Sequence, residues 1–378
     1  MKILLINNVY GFLSTGRICA DIAKEAQENG DICMVACREA RKSKDDNSEV
    51  IIVGSPVQTR IHGFKARLLD NQGLNSRIAT RAFLRKAEAF NPDLIWLHNI
   101  HGYYINYELL FSWIKSKPNL KVKWTLHDCW AFTGHCAYFT MVECDKWKTG
   151  CYQCPQLKEY PKSLFLDNSE NNYTRKKRAF RGVANLEIIT PSKWLSELVK
   201  QSFLSEYDVK VIYNKIDTTV FKKTGGKFRI DNHLLNQRIV LGVASIWGKR
   251  KGLDRYIELA ERLPDYFTLV LVGEMTDQQR VTLPKNIMTV GRTNNAQELA
   301  DIYSSADVLL LLTREDNYPT VSIEAEACGT PVFTLDVGGC KETIHRPDSK
   351  IAQSTDQIYG LLLDKFPKIK EEEEEPVL

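Results

Sequence analysis

Short aliphatic runs alternate with amphipathic stretches from the first residue of this chain, and nothing else in the sequence restricts its fold as much. A strand that is followed by a helix before the next strand must return over a sheet face, which gives parallel α/β units and not hairpins. Strands are expected at 2–7, 31–37, 93–97, 121–126, 186–190 and 209–213. Between the first two, Ile18, Ile22 and Ala26 recur at helical spacing and Gly30 stops the helix. The loop expected before it, Ser14-Thr15-Gly16-Arg17, would aim backbone amides and a helix start above the sheet, a natural place for an anion.

The alternation restarts after about residue 228, with strands expected at 238–244, 267–273, 287–290, 307–312 and 331–335 and helices at 252–263, 296–304 and 320–328. The polar stretch Lys222-Lys223-Thr224-Gly225-Gly226-Lys227 is the linker candidate between two α/β units. The expected division is an N-terminal domain at 1–221, with a Cys-rich insert at 129–155, and a C-terminal domain at 222–378 whose acidic tail is 371–378. Two doubly wound, Rossmann-like domains facing across a cleft would bind ligands at the carboxyl ends of both sheets.

Charge and apolar content exclude several classes. With 51 Lys plus Arg against 47 Asp plus Glu, the net charge of +4 over 378 residues gives little support to a nucleic-acid partner. The N-terminal run Ile3–Ile6 is too short for a signal-peptide core, and Val308–Leu312 is too short to span a bilayer. The expected location is the cytoplasm, with peripheral contact at the inner face of the plasma membrane. In a reducing compartment, scattered Cys19, Cys33, Cys37, Cys328 and Cys340 read as small buried residues.

The densest chemistry is the loop Arg314-Glu315-Asp316-Asn317-Tyr318-Pro319-Thr320, placed directly after a buried strand, with Glu324 one helical turn further on. Amides at that helix start suit a diphosphate or sugar hydroxyls, and a carboxylate one turn in suits a vicinal diol. Asp316 and Glu324, with seven residues between them and followed by Gly329-Thr330-Pro331-Val332, resemble the E-x7-E region of the family 4, GT-B-fold retaining glycosyltransferases, near the colanic acid and bacterial polysaccharide subgroup. Asp316 stands where the family's first Glu stands. Asn214-Lys215-Ile216-Asp217 is similar to the family's Asn-Gly-x-Asp, and Arg250-Lys251-Gly252 to its Lys-Gly. Ser245 occupies the place of a common family arginine, so Lys249 or Arg250 supplies charge there.

The resemblance implies transfer of a sugar, with retention, from a UDP or GDP sugar to a glycan or lipid-linked acceptor, without a catalytic metal. It implies catalytic roles for His127, Asp316 and Lys251. Donor-binding roles go to Gly16, Arg250, Lys251, Asp316, Asn317, Tyr318, Pro319, Thr320 and Glu324, and acceptor-side roles to Arg17, His98, His101 and Asp128. Lys251 has the chemistry that a departing diphosphate needs, since a fixed cation stabilises the developing charge.

Two motifs stand outside that reading. Cys136, Cys144, Cys151 and Cys154 form a C-x7-C-x6-C-x2-C series that suits a structural zinc, two disulfides or four buried thiols, and His135 can replace one thiol. Arg175-Lys176-Lys177-Arg178-Ala179-Phe180-Arg181 carries five positive charges, which suit either a solvated helix face or an anionic membrane surface. The rival classes are a zinc-containing nucleic-acid-binding protein, built from these two motifs, and an inactive GT-B partner subunit.

Overall fold

The run Lys2–Ile6 is buried along all but its first residue because helices cover both faces of the sheet it centres, so its sequence is continuously apolar and does not alternate. A computed structural model describes residues 1–369 and divides them into two units, Met1–Asn214 and a second from Lys215 onward. The first unit contains β1 (Lys2–Ile6), β2 (Val9–Tyr10), β3 (Ile32–Cys37), β4 (Glu39–Ala40), β5 (Glu49–Ile52), β6 (Leu94–Leu97), β7 (Lys121–Thr125), β8 (Leu186–Thr190) and β9 (Asp208–Val211). Seven pair in parallel in the order β5-β3-β1-β6-β7-β8-β9, and β2 pairs with β4 in a short parallel ladder. The chain runs outward from β1 to β5 and then returns to β6 on the other side of β1, so the sheet's switch point lies at the carboxyl ends of β1 and β6.

The second unit repeats the plan with β10 (Arg238–Ile246), β11 (Phe267–Glu274), β12 (Ile287–Val290), β13 (Val308–Leu311), β14 (Val332–Leu335) and β15 (Lys350–Ala352), parallel in the order β12-β11-β10-β13-β14-β15. Its switch point falls between β10 and β13. Each unit is thus a doubly wound α/β fold, as the alternation implies.

Three differences from the sequence expectations have physical causes. The first helix is Leu13–Glu28, so Ser14 to Arg17 are its opening turn and not a loop; the loop is shorter, and Gly11 N–H bonds the Gly16 carbonyl at 2.9 Å. Residues 215–221 fall in the second unit, where Ile216, Val220 and Phe221 pack on its apolar core. Strands β5 and β15 lie at sheet edges and are largely exposed; β15 has no aliphatic run to mark it, whereas β5 carries Val50-Ile51-Ile52 and is a strand that the expected set omits. The expected acidic tail, 371–378, lies outside the described residues. No helix among the described residues is long and apolar enough to cross a membrane.

Candidate functional site

In the second unit the carboxyl ends of β10 and β13 deliver the turn Trp247–Gly252 and the loop Leu312–Asp316. Gly252 has φ +76°, and a Cβ on it would meet the Leu312 carbonyl oxygen at 2.2 Å, so only glycine allows this approach. Thr313 Oγ1 and the Arg314 N–H both donate to the Arg250 carbonyl, at 2.9 and 2.8 Å, and lock turn to loop. Lys251 Nζ then lies 2.5 Å from Asp316 Oδ2, and Arg250 Nη1 lies 3.9 Å from the same oxygen. Burial pushes the Asp316 carboxyl up, but the charges of Lys251 and Arg250 and the hydrogen bonds from Lys251 and the Asn317 N–H outweigh it and leave the group below its ordinary range. One carboxylate holding two cations leaves this cluster with one net positive charge.

From Asp316 the chain passes through buried Asn317, Tyr318 and Pro319 into the helix Thr320–Ala327, whose N-cap residue is Pro319, with no side-chain cap of its own. Glu324 is buried one turn in, where its Oε2 accepts a hydrogen bond from the Tyr303 hydroxyl at 2.9 Å. Tyr303 went unnoticed in the sequence because it lies 21 residues away in an ordinary amphipathic helix. The structure therefore gathers Arg250, Lys251 and Asp316 and leads from them to Glu324. Gly16 belongs to the first unit, buried against Val9, with Arg17 exposed beside it.

In the first unit His98 follows β6 and His127 follows β7, and their Nδ1 and Nε2 atoms are 3.0 Å apart. His101 Nε2 lies 3.1 Å from Asp128 Oδ2, and its Nδ1 lies 3.0 Å from the Tyr160 hydroxyl. The Trp130 N–H donates to Asp128 Oδ1 at 2.9 Å. Burial pushes Asp128 up, and His101 together with the Trp130 N–H outweighs it, so the carboxyl titrates below its usual range. His127 is partly exposed, whereas His98 is 1% exposed. His98 thus does not line an acceptor surface as expected from its strand-end position; it stands behind His127.

Cys136, Cys144, Cys151 and Cys154 line one small cavity together with His135 and Trp147. A hydrogen bond with Cys136 draws the Cys154 thiol down to about 7 and raises Cys136. His135 Nδ1 is 2.5 Å from Asp70 Oδ1, a partner distant in sequence that no motif signals. Among the described residues no two cysteines are joined in a disulfide, and no three His, Cys, Asp or Glu side chains already form a metal-holding group. The basic run is not the open cationic face its sequence suggests. Lys176 is buried, Arg175 makes a two-pronged contact with Glu108 at 2.9 and 2.7 Å, and Arg181 bonds Glu206 at 2.8 Å.

Comparison with known proteins covers both units. Residues 15–220 match the sequence profile of a family described as Glycosyltransferase Family 4, and residues 237–364 match one described as Glycosyl transferases group 1. WcaC of Escherichia coli (strain K12), a glycosyl transferase assigned to colanic acid biosynthesis, is 25% identical over 289 residues, which span 72% of this chain and 67% of its own. Among solved structures, sucrose-phosphate synthase (tll1590) from Thermosynechococcus elongatus has a TM-score of 0.68 at 16% identity, over 96% of this chain and 89% of that one. Alr3699/HepE from Anabaena, solved in complex with UDP-glucose, has a TM-score of 0.63 at 17% identity, over 96% and 89%. At such identities these likenesses establish a shared GT-B fold and nothing finer.

Proposed function

Because this chain belongs to Glycosyltransferase Family 4, we propose that it transfers a sugar, with retention, from a nucleoside diphosphate sugar to a growing bacterial surface polysaccharide or lipid-linked glycan. The observation that carries the donor reading is the Lys251–Arg250 pair set against Asp316 at the switch point of the second sheet. A sugar that leaves a diphosphate develops negative charge on the phosphate oxygen, and pre-positioned cations stabilise that charge without reorganising. The start of helix Thr320–Ala327 adds backbone amides suited to the same anion. Likeness to a protein crystallised with UDP-glucose supports UDP over GDP as the first donor to test.

In the proposed reaction the bond from the anomeric carbon to the phosphate oxygen breaks while the acceptor oxygen attacks from the same face. The acceptor's proton passes to the departing phosphate oxygen. Lys251 and Arg250 stabilise the leaving group, Asp316 holds those two cations in place, Glu324 takes the ribose diol, and His127 meets the reacting sugar. A cytoplasmic-side, peripheral location follows in this reading from a lipid-linked acceptor and not from segment 175–181. We also propose that a structural zinc closes the cysteine quartet, on the ground that four thiols share one cavity.

Calorimetry with UDP and uridine tests the donor site. Lys251→Ala should weaken UDP by roughly tenfold to hundredfold and leave uridine unchanged, whereas Glu324→Ala should weaken both alike. If Lys251→Ala binds UDP as the wild type does, the diphosphate is not held by this turn.

A further inference from the structure

The helix Pro56–Leu69 carries apolar side chains on the side that it turns away from the protein. It packs inward through His62 and Ala66, whereas Val57, Ile61 and Phe64 are 62, 50 and 63% exposed. Spacings of four and three residues put those three on one stripe, within about 60° of one another around the axis. Arg60 and Arg67 stand on one flank of the stripe and Lys65 on the other, all three exposed. The segment Leu164-Phe165-Leu166 adds to this surface. Its Leu164 N–H donates to the Arg67 carbonyl at 2.7 Å, which moors it near the end of the helix, and all three side chains are exposed, Phe165 by 75%. The next helix, Arg77–Phe90, turns Arg77, Arg81, Arg85 and Lys86 to solvent. Residues 56–90 thus hold seven Lys and Arg against two acids, Asp70 buried beside His135 and Glu88 bonded to Lys117. That local excess is larger than the +4 of the whole chain.

We infer that this face of the first unit rests on an anionic lipid bilayer, with the stripe and the Phe165 segment among the headgroups and the surrounding cations on lipid phosphates. The inference rests on the proposed lipid-linked acceptor and deepens that reading by naming the surface that meets the lipid. The makeup of the face selects its occupant. Single exposed apolar residues are ordinary, but six gathered together and edged by cations are not. A second copy of the chain would set like charges against each other, and a nucleic acid would leave the apolar side chains in water. A bilayer interface takes both kinds of side chain at once, the pattern of a helix that lies in the interface plane.

The moored segment also leads to the acceptor side. Tyr160 precedes Leu164 by one short turn of chain, and its hydroxyl lies 3.0 Å from His101 Nδ1. An acceptor anchored in the same bilayer is thereby brought beside residues given the acceptor role. Segment 175–181 offers no such face, because Lys176 is buried and Arg175 and Arg181 are held by Glu108 and Glu206.

Flotation of the full chain with vesicles tests the surface, using phosphatidylcholine alone and equal parts phosphatidylcholine and phosphatidylglycerol. Wild type should float with the mixed vesicles, less so as salt rises. Lys65→Glu should lower the partition coefficient by about tenfold. Lys177→Glu makes the same change of charge on an exposed residue elsewhere and should lower it by less than about twofold. The pair Phe64→Ser, Phe165→Ser should abolish the binding that survives high salt. All four residues are exposed, so each variant should keep the denaturant midpoint and the UDP affinity of wild type. Wild type that does not float, equal binding to neutral vesicles, or equal losses in Lys65→Glu and Lys177→Glu would overturn the inference. A dimer in sedimentation equilibrium that the Phe pair dissolves, without flotation, would overturn it and give the face to a second copy. Calorimetry with UDP separates this outcome from the proposed function: UDP binding without flotation overturns the surface alone, whereas flotation by a chain that binds no UDP leaves the surface standing and overturns the donor reading.

Discussion

Lys176 lies in the middle of the most basic stretch of the chain and is 2% exposed. Its Nζ donates to the carbonyls of Trp130 and Thr133 at 2.7 and 3.0 Å and sits 3.6 Å from the centroid of the Trp130 ring. It thus ties the helix Ser169–Phe180 to the segment that follows His127 and Asp128. Burial drives its pKa down to about 7. An unfolded lysine titrates near 10.4, so between about pH 7 and 10 the unfolded chain binds more protons than the folded one and stability rises with pH. Denaturant midpoints of wild type against Lys176→Met should therefore diverge from pH 7 to 9 in favour of wild type, by up to about 1.4 kcal/mol per pH unit. A flat difference would mean that the folded protein holds Lys176 charged throughout. The burial was legible in one respect: Tyr173, Lys176 and Phe180 recur at helical spacing, the pattern of a packed face. Counting charges along the run hid it, because a run in sequence spans every face of a helix.

At the scale of elements, legibility followed burial. Central strands such as β1, β10 and β13 are covered on both faces and announce themselves as aliphatic runs, and the side chains placed at their carboxyl ends were found with them. The stretch from Leu126 to Asn168 has no period to read, since it forms three short 3-10 turns and no strand. What shapes it comes from far away: Asp70 on His135, Lys176 on Trp130, and Gly134, where a Cβ would meet the Ser169 carbonyl oxygen at 2.1 Å. The cysteine quartet lies inside this stretch. The Gly134 N–H points at Cys151 Sγ at 3.1 Å, a backbone hydrogen bond from Gln156 reaches Cys154, and buried His135 Nε2 has no hydrogen-bond partner among the described residues. Donors aimed at sulfur and a carboxylate behind a histidine are features that metal sites use around their ligands. Elemental analysis of protein purified under reducing conditions should give about one zinc per chain, lost in the Cys151→Ser, Cys154→Ser double variant. Metal-free protein with four titratable thiols, or with two disulfides, would end the zinc proposal.

At the scale of the whole molecule, the described residues form two sets of apolar cores with no member in common. Every core residue of the first unit precedes Asn214, and every core residue of the second follows it. The restart of the α/β alternation made this division legible, while the boundary was misplaced because polar residues mark a linker less reliably than packing does: Ile216, Val220 and Phe221 already belong to the second core. A unit of this size buries enough apolar surface to fold alone, so a fragment beginning at Lys215 should unfold cooperatively in denaturant. It should also bind UDP, because Arg250, Lys251, Asp316 and Glu324 all lie within it. The informative comparison is its affinity against that of the full chain. Gly16 is the single donor-binding expectation in the first unit, and the structure buries it against Val9. If donor recognition is confined to the second unit, fragment and full chain should agree within about threefold, a difference under 1 kcal/mol. A hundredfold weaker fragment that still folds would show that the first unit contributes directly to the nucleotide, and the residues that open its first helix would be the place to look.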